Sequence, residues 1–201
     1  AVNNLSVMGG QSTTNTLASS IDGGITWTGR GSTIFSTQTN AIVYGSNLWV
    51  AVGQGTNTIA TSTNGTVWTG RGTTIFTTAG YGITNSGYIL SYSGQILSTS
   101  SPTSLTSSSV MNSTIFTQAN DIAYGNSVYV VVGTGTSDTI ATSSDGITFT
   151  GRGSTVFSTS RNAVTFVTPY FYVVGSGTNT SAYSRKSSLS IRSLNCSKER
   201  K

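Results

Sequence analysis

The chain has 201 residues, of which 7% are charged and 35% are hydrophobic, with no His and a single Cys. Its net charge of +5 lies wholly in residues 185–201, because the four Arg and four Asp of residues 1–184 cancel. The hydrophobic fraction excludes a disordered Ser/Thr-rich stalk, and no stretch reaches the roughly 20 apolar residues of a membrane-spanning helix. Without His there is no Ser–His–Asp triad and no zinc site of His and Cys, and a single Cys excludes an intramolecular disulfide.

An internal repeat of about 41 residues runs along the chain. The Phe of a recurring Thr-Ile-Phe-like element stands at Phe35, Phe76, Phe116 and Phe157, at separations of 41, 40 and 41 residues. An apolar run that ends in Gly marks each of five units. The predicted units are residues 1–31, 32–72, 73–112, 113–153 and 154–194, followed by a basic tail at 195–201 in a region that is basic from residue 185.

Each unit is predicted to form four short β-strands. In the second unit we expect them at 40–45, 48–53, 58–62 and 66–70, where Val, Ile, Tyr, Trp and Thr predominate. No segment has the 3.6-residue apolar period of a helix. Four strands per unit at this spacing predict an all-β fold, a β-propeller of about five four-stranded blades, with a parallel β-helix as the rival architecture.

The phase of the repeat gives the first blade only three strands. The chain starts at the second strand of a unit, so the first blade lacks its innermost strand, and residues 187–194 resemble a fourth strand at the other end. The predicted propeller spans residues 1–194. Either the C-terminal segment closes the ring or the chain is truncated.

One short segment resembles a known family motif. Residues 20–27, SIDGGITW, match the Asp-box S-x-D-x-G-x-x-W of sialidase-type (BNR) repeat propellers, and two shorter copies follow, one with Asn64 in place of Asp. In that family the Asp-box is a structural turn between the third and fourth strands. The resemblance implies Asp22, Asn64 and Asp145 as turn formers, with Trp27, Trp68 and Phe149 as packing residues.

Two further resemblances concern origin and function. The sequence that recurs in the tandem repeats resembles that of repeat proteins from giant algal viruses. The five-blade count and the lack of catalytic groups are similar to tachylectin-type propeller lectins, whose sequence motifs are absent here.

Sialidase chemistry is not expected. Sialidases need an arginine cluster, a Tyr–Glu nucleophile pair and an acidic proton donor, but the only Glu of this chain is Glu199, in the basic tail. A glycosidase would need two carboxylates roughly 5–10 Å apart, and two of the four Asp are assigned to turns. We expect no enzyme, no metal and no cofactor.

A predicted propeller face carries the remaining candidates for binding. The loops after the fourth strands and those between the second and third strands share this face. It would present Arg30, Arg71 and Arg152 together with Asn15, Asn57, Asp138 and Asn179. These groups suit sulfated or carboxylated glycans, or an acidic protein surface. Alternatively, each Arg caps backbone carbonyls or stacks on an aromatic ring between blades.

The function expected from these features is that of a structural or protein-interaction module in a larger assembly, with a virion component as one candidate. The alternative is a lectin-like, glycan-binding propeller. The basic region 185–201 either contacts an acidic partner or is a solvated terminus, and nucleic acid is a minor option. The expected location is a virion or the extracellular space.

Overall fold

The structure is a computed structural model in which every assigned element is a β-strand. It describes residues 4–86, 90–92, 95–97, 110–111, 115–177, 179–185 and 188–193. These residues form no helix, which confirms the all-β prediction. Within the same ranges, therefore, no helix is long and apolar enough to cross a membrane.

The described strands form five sheets, in each of which consecutive strands pair. The first sheet has three strands, β1 (Ser6–Gly9), β2 (Leu17–Ser20) and β3 (Thr28–Gly29). The second has four, β4 (Gln38–Gly45), β5 (Leu48–Gln54), β6 (Ile59–Ser62) and β7 (Thr69–Gly70). The third contains β8 (Gly80–Ile83), β9 (Leu90–Tyr92), β10 (Gln95–Leu97) and β11 (Val110–Met111).

The last two sheets repeat the pattern of the second. The fourth contains β12 (Gln118–Gly125), β13 (Val128–Thr134), β14 (Ile140–Ser143) and β15 (Thr150–Gly151). The fifth contains β16 (Ser160–Val167), β17 (Tyr170–Ser176), β18 (Ser181–Arg185) and β19 (Ser188–Ser193). The prediction of four-stranded antiparallel sheets is thereby confirmed. The tail at 195–201 and most of the stretch between β10 and β12 lie outside the described residues.

The fourth strand of the second sheet is shorter than the sequence predicts. It covers Thr69–Gly70 rather than 66–70. The backbone N–H groups of Thr66 and Val67 donate to Asn64 Oδ1 at 3.0 and 2.9 Å. Because the turn occupies these two donors, the strand begins only after it.

Two-residue turns set the register of the first two strands in the second and fourth sheets. Ser46 and Asn47 have φ of 51° and 60°, and Asn126 and Ser127 have φ of 49° and 58°. Positive φ at both central residues is the type I′ geometry that matches the twist of a hairpin. The Gly-Ser-Asn and Gly-Asn-Ser links therefore determine which residues of the paired strands face each other.

The second strands of the second and fourth sheets lie in the core. Val50, Ala51 and Val52 of β5 are fully buried, as are Val131 and Val132 of β13. Consecutive buried residues mean that both faces of these strands are covered. The burial indicates that these sheets are packed between layers.

The chain divides into two compact units, each with its own hydrophobic clusters. Unit 1 comprises Ala1–Ser93 and Leu97–Val110, and unit 2 comprises Gly94–Ile96 and Met111–Lys201. In unit 1, one cluster joins Leu17 and Phe35 to Trp49 and Trp68, and a second joins Val50 and Val52 to Phe76 and Ile83. In unit 2, one cluster joins Val130 and Val132 to Phe157, Val164, Phe171 and Val173.

An acidic side chain connects the two sheets of unit 2. The carboxylate of Asp121 accepts from the backbone N–H groups of Ile122 at 2.8 Å and Val164 at 2.9 Å. Burial raises the pKa of this carboxyl, although both hydrogen bonds act in the opposite direction. Asp121 therefore serves in packing the fourth sheet against the fifth.

Candidate functional site

The Asp-box of the first repeat forms a closed network of hydrogen bonds. Ser20 Oγ donates to Asp22 Oδ1 at 2.6 Å and accepts from the backbone N–H of Gly24 at 2.8 Å. Asp22 Oδ1 accepts from the N–H groups of Ile25 and Thr26 at 3.1 and 2.9 Å. All these partners lie within six residues of Ser20, so the carboxylate stabilises its own turn.

The other two copies have the same turn. Asn64 and Asp145 each accept from the hydroxyl of the Ser two residues earlier, at 3.1 and 2.7 Å. Asp145 Oδ1 also accepts from the backbone N–H groups of Ile147 and Thr148, both at 2.8 Å. An amide oxygen is sufficient for this role, since Asn64 makes the equivalent bonds.

The aromatic residues of the three turns differ in exposure. Trp68 is 9% exposed and belongs to the cluster of Leu17 and Phe35, whereas Phe149 is half-buried. Trp27, for which a packing role was expected, is 42% exposed, and its Nε1 donates to Gly24 O at 3.0 Å. Trp68 is buried because it clusters with Leu17 of the preceding repeat.

The two Asp-box carboxylates are expected to make stability fall in acid. Hydrogen bonds hold the pKa of Asp22 and of Asp145 well below the ordinary 3.8, led by the Ser20 hydroxyl and the Ile147 N–H respectively. Their stabilisation is therefore present above the unfolded-state pKa and is lost as the pH falls below it. Asp121, whose pKa is raised by burial, has the opposite effect on how stability changes with pH.

Urea unfolding at pH 7 and at about pH 2.5 measures this loss. The matched variant is D22N/D145N, which copies the amide of Asn64 and cannot titrate. We expect its unfolding midpoint to fall less between the two pH values than that of the wild type. Equal falls would show that these two turns do not carry the acid sensitivity.

The three candidate arginines lie at the start of the crossing loops, which we define as residues 30–37, 71–79 and 152–159. Each donates from Nε to a hydroxyl of its own sheet. The acceptors are Ser19 for Arg30 at 2.8 Å, Thr61 for Arg71 at 3.0 Å and Thr142 for Arg152 at 2.8 Å. Arg30 and Arg71 are half-buried and Arg152 is exposed.

These bonds orient the guanidinium groups without using all their donors. Nη2 of Arg71 also donates to Thr61 Oγ1, at 2.6 Å. Within the described ranges, Arg30 and Arg152 have no further side-chain hydrogen bond and no ion pair. A guanidinium held at Nε presents its remaining N–H groups in a fixed direction, which favours planar acceptors such as carboxylate or sulfate.

The candidate amides and Asp138 hold the crossing loops in place. Asn15, Asn57 and Asp138 each accept on Oδ1 from the N–H of the Gly that follows the loop arginine. These Gly partners are Gly31 at 2.8 Å, Gly72 at 2.8 Å and Gly153 at 2.6 Å. Asn57 Nδ2 also donates to Ile34 O at 2.7 Å, and Asn179 Nδ2 donates to Val156 O. These oxygens therefore serve the backbone of their own repeat.

The threonine that follows Asn15, Asn57 or Asp138 completes the closure, and sequence reasoning missed it. Thr58 Oγ1 lies 3.2 Å from Gly72 O and 2.9 Å from Phe76 O, so its single O–H group is shared between the two carbonyls. Thr16 and Thr139 make the equivalent bonds. These threonines could have been found in the sequence from the recurring dipeptides Asn-Thr and Asp-Thr, which precede the third strand of the repeat.

The structure places these candidates in both units. Arg30 and Arg71 belong to unit 1, and Arg152 belongs to unit 2. In the described part of the chain, no group of three or more His, Cys, Asp or Glu side chains could hold a metal ion. The first, second and fourth repeats each offer the same element, a crossing loop with one oriented guanidinium group.

Comparisons with known proteins bear on the fold. No family model matches the chain, and no curated protein matches it. Three solved structures are each similar over 92% of this chain. A nidogen–laminin complex is 10% identical with a TM-score of 0.59 over 72% of its own chain, and the computationally designed Ika8 protein is 12% identical with a TM-score of 0.56 over 56% of its chain. The GH74 enzyme of Niastella koreensis is 20% identical with a TM-score of 0.59 over 29% of its chain. These neighbours include propeller-like proteins, so the similarity supports a β-propeller fold.

Proposed function

We propose that this chain is a non-enzymatic β-propeller of about five blades that acts as a structural or protein-interaction module. The observation that carries the proposal is the use made of the described carboxylates. Asp22 and Asp145 stabilise their own turns, Asp121 accepts two backbone N–H groups and Asp138 holds a crossing loop. Among the described residues, no two of these carboxylates are therefore left free to act as an acid–base pair.

The proposed propeller family and the proposed location are inferred from the repeated sequence. The period of about 41 residues and the Asp-box turns support membership of the Asp-box propellers. A location in a virion or outside the cell is proposed from the resemblance to viral repeat proteins.

The binding groups in this proposal are the oriented guanidinium groups. Arg30 and Arg152 keep donors that bind no described residue, and a carboxylate can accept two parallel N–H bonds from each. We therefore assign an acidic protein surface as the partner. The same donors suit a sulfated glycan, and the exposed aromatic rings of Trp27 and Tyr172 favour this lectin-like alternative, because sugar rings stack on such groups.

A binding experiment with two probes separates these functions. Poly-glutamate peptide and an array of neutral and sulfated glycans would be presented to the wild type and to R30A/R71A/R152A. We expect the triple variant to lose at least about tenfold in affinity for the peptide, with binding of the wild type weakening as salt increases.

A variant that ends at residue 194 is the matched control for the basic tail. If the truncated protein loses the peptide while the triple variant keeps it, the tail rather than the loops is the binding site. Tight binding of a neutral glycan that depends on Trp27 would instead support the lectin-like function. No binding of either probe class would contradict both proposals.

A further inference from the structure

The Asp-box turn of the second repeat contains the only Asn-Gly dipeptide of the sequence, Asn64-Gly65. Asn64 occupies the place that Asp22 and Asp145 hold in the other two turns. An Asn that precedes Gly can lose its side-chain amide without an enzyme, because Gly has no side chain to hinder the approach of its backbone nitrogen to the Asn carbonyl carbon. The only co-reactant of this deamidation is water.

The reaction proceeds through a five-membered cyclic imide. The backbone nitrogen of Gly65 attacks Cγ of Asn64, and the bond from Cγ to Nδ2 breaks. The amide group leaves as ammonia, which carries away the proton of the Gly65 N–H. Water then opens the ring, either at Cγ to give an aspartyl residue or at the backbone carbonyl carbon to give an isoaspartyl residue. The net change is the consumption of one water, the release of one ammonia and the replacement of an amide by a carboxylate.

The folded turn opposes formation of this ring. In the cyclic imide, Cγ of Asn64 takes the place of the Gly65 amide proton, in the plane of the peptide group. In the folded turn that proton points at Ser62 Oγ instead, because Gly65 N–H donates to this oxygen at 2.8 Å. The ring can therefore form only after the peptide group between Asn64 and Gly65 has rotated away from Ser62.

Packing holds the same peptide group in place. Gly65 is buried, and a Cβ built on it would lie 2.8 Å from Leu5 Cδ2, 3.0 Å from Val7 Cγ2 and 3.2 Å from Trp49 Nε1. The side chain of Asn64, in contrast, is exposed to water. Rotation of the peptide group therefore requires a local opening of the turn or the unfolding of unit 1.

We propose that Asn64 is a deamidation site that its hydrogen-bonded turn, through Ser62, protects in the folded chain. Modification takes place in the small fraction of molecules whose turn is open, so its rate depends on the free energy of opening. The Asp-box serine thereby has a second role in this repeat, in addition to closing the turn.

The turn accommodates one of the two products. An aspartyl residue would reproduce the turn of Asp145, whose Oδ1 accepts from the N–H groups of Ile147 and Thr148, both at 2.8 Å. An isoaspartyl residue adds a methylene group to the main chain and moves the carboxylate away from the N–H groups that follow. We therefore expect N64D, which makes the first product directly, to unfold at the same urea concentration as the wild type at pH 7.

Peptide mapping by mass spectrometry, after incubation in mildly alkaline buffer, measures the loss of the Asn64 amide. We expect the chain unfolded in urea to react at least about tenfold faster than the folded wild type, and folded S62A to react about tenfold faster. The matched control is S20A, which removes the equivalent hydroxyl of the first Asp-box in the same compact unit and leaves the Asn64 rate unchanged. Circular dichroism verifies that each variant is folded.

Three results would overturn the proposal. The first is a folded wild type that loses the amide as fast as the chain in urea, and the second is an Asn64 amide that survives in both. The third is equal acceleration by S20A and S62A, which would assign the protection to the stability of unit 1 rather than to Ser62. If S62A does not fold, S62T replaces it, because it keeps a hydroxyl and should react at the wild-type rate; a tenfold acceleration in folded S62T would also contradict the role of Ser62.

Discussion

Replacing Phe35 by Ala is expected to lower the free energy of unfolding of unit 1 by about 3–5 kcal/mol. Its ring is fully buried in a cluster with Leu17, Trp49 and Trp68. The cavity cannot easily be filled, because the backbone of Phe35 is held by a hydrogen bond from Thr16 Oγ1 to its carbonyl at 2.8 Å. Urea unfolding followed by tryptophan fluorescence measures the change.

The control for this substitution is Val67→Ala, which truncates an apolar side chain that is 70% exposed. We expect a change within about 0.5 kcal/mol for V67A. If F35A were no more destabilising than V67A, the clustered packing around Phe35 would not be a source of stability. The hydrogen bond from Thr16 would then be the main function of this position.

Replacing Gly70 by Ala is expected to cost about 2–3 kcal/mol, because of its contact with an anchored side chain. A Cβ at Gly70 would lie 2.3 Å from Asn57 Oδ1. Asn57 cannot move aside without losing its bonds to Gly72 N–H and Ile34 O. Urea unfolding measures the cost. The matched control is G10A, since a Cβ at Gly10 meets nothing within 4 Å and its φ is not positive.

A double-mutant cycle shows whether Asn57 is the cause. N57A alone should cost about 1–3 kcal/mol, because Gly72 N–H and Ile34 O lose their partner. In N57A the space opposite Gly70 is open, so adding G70A should cost much less than it does in the wild type. Additive costs in the double variant would mean that Gly70 is required for another reason.

The sequence predicts the strands well because they depend on local patterns. Alternating and continuous apolar runs identify β4 to β6 nearly to the residue, and the period of 41 residues identifies their recurrence. The outer strand β7 is shorter than predicted because Asn64 occupies the N–H groups of Thr66 and Val67. That competition is a matter of hydrogen-bond geometry, which strand propensity does not describe.

The candidate site is less accessible to sequence reasoning. Asn57 and Asp138 were assigned to a binding face from their position in loops, yet their oxygens accept from glycine N–H groups 15 residues further along the chain. Likewise, Trp27 and Trp68 occupy the same place in the motif but differ in exposure, 42% against 9%. Burial depends on having a neighbouring repeat, and a single copy of the motif does not contain that information.

The hydroxyl bridge from Thr16 to Phe35 O connects one repeat with the beginning of the next. A fragment cut at residue 31 would therefore separate this donor from its acceptor and leave the Thr16 hydroxyl without one of its carbonyl partners. The smallest self-contained piece of the array is thus longer than one sequence repeat.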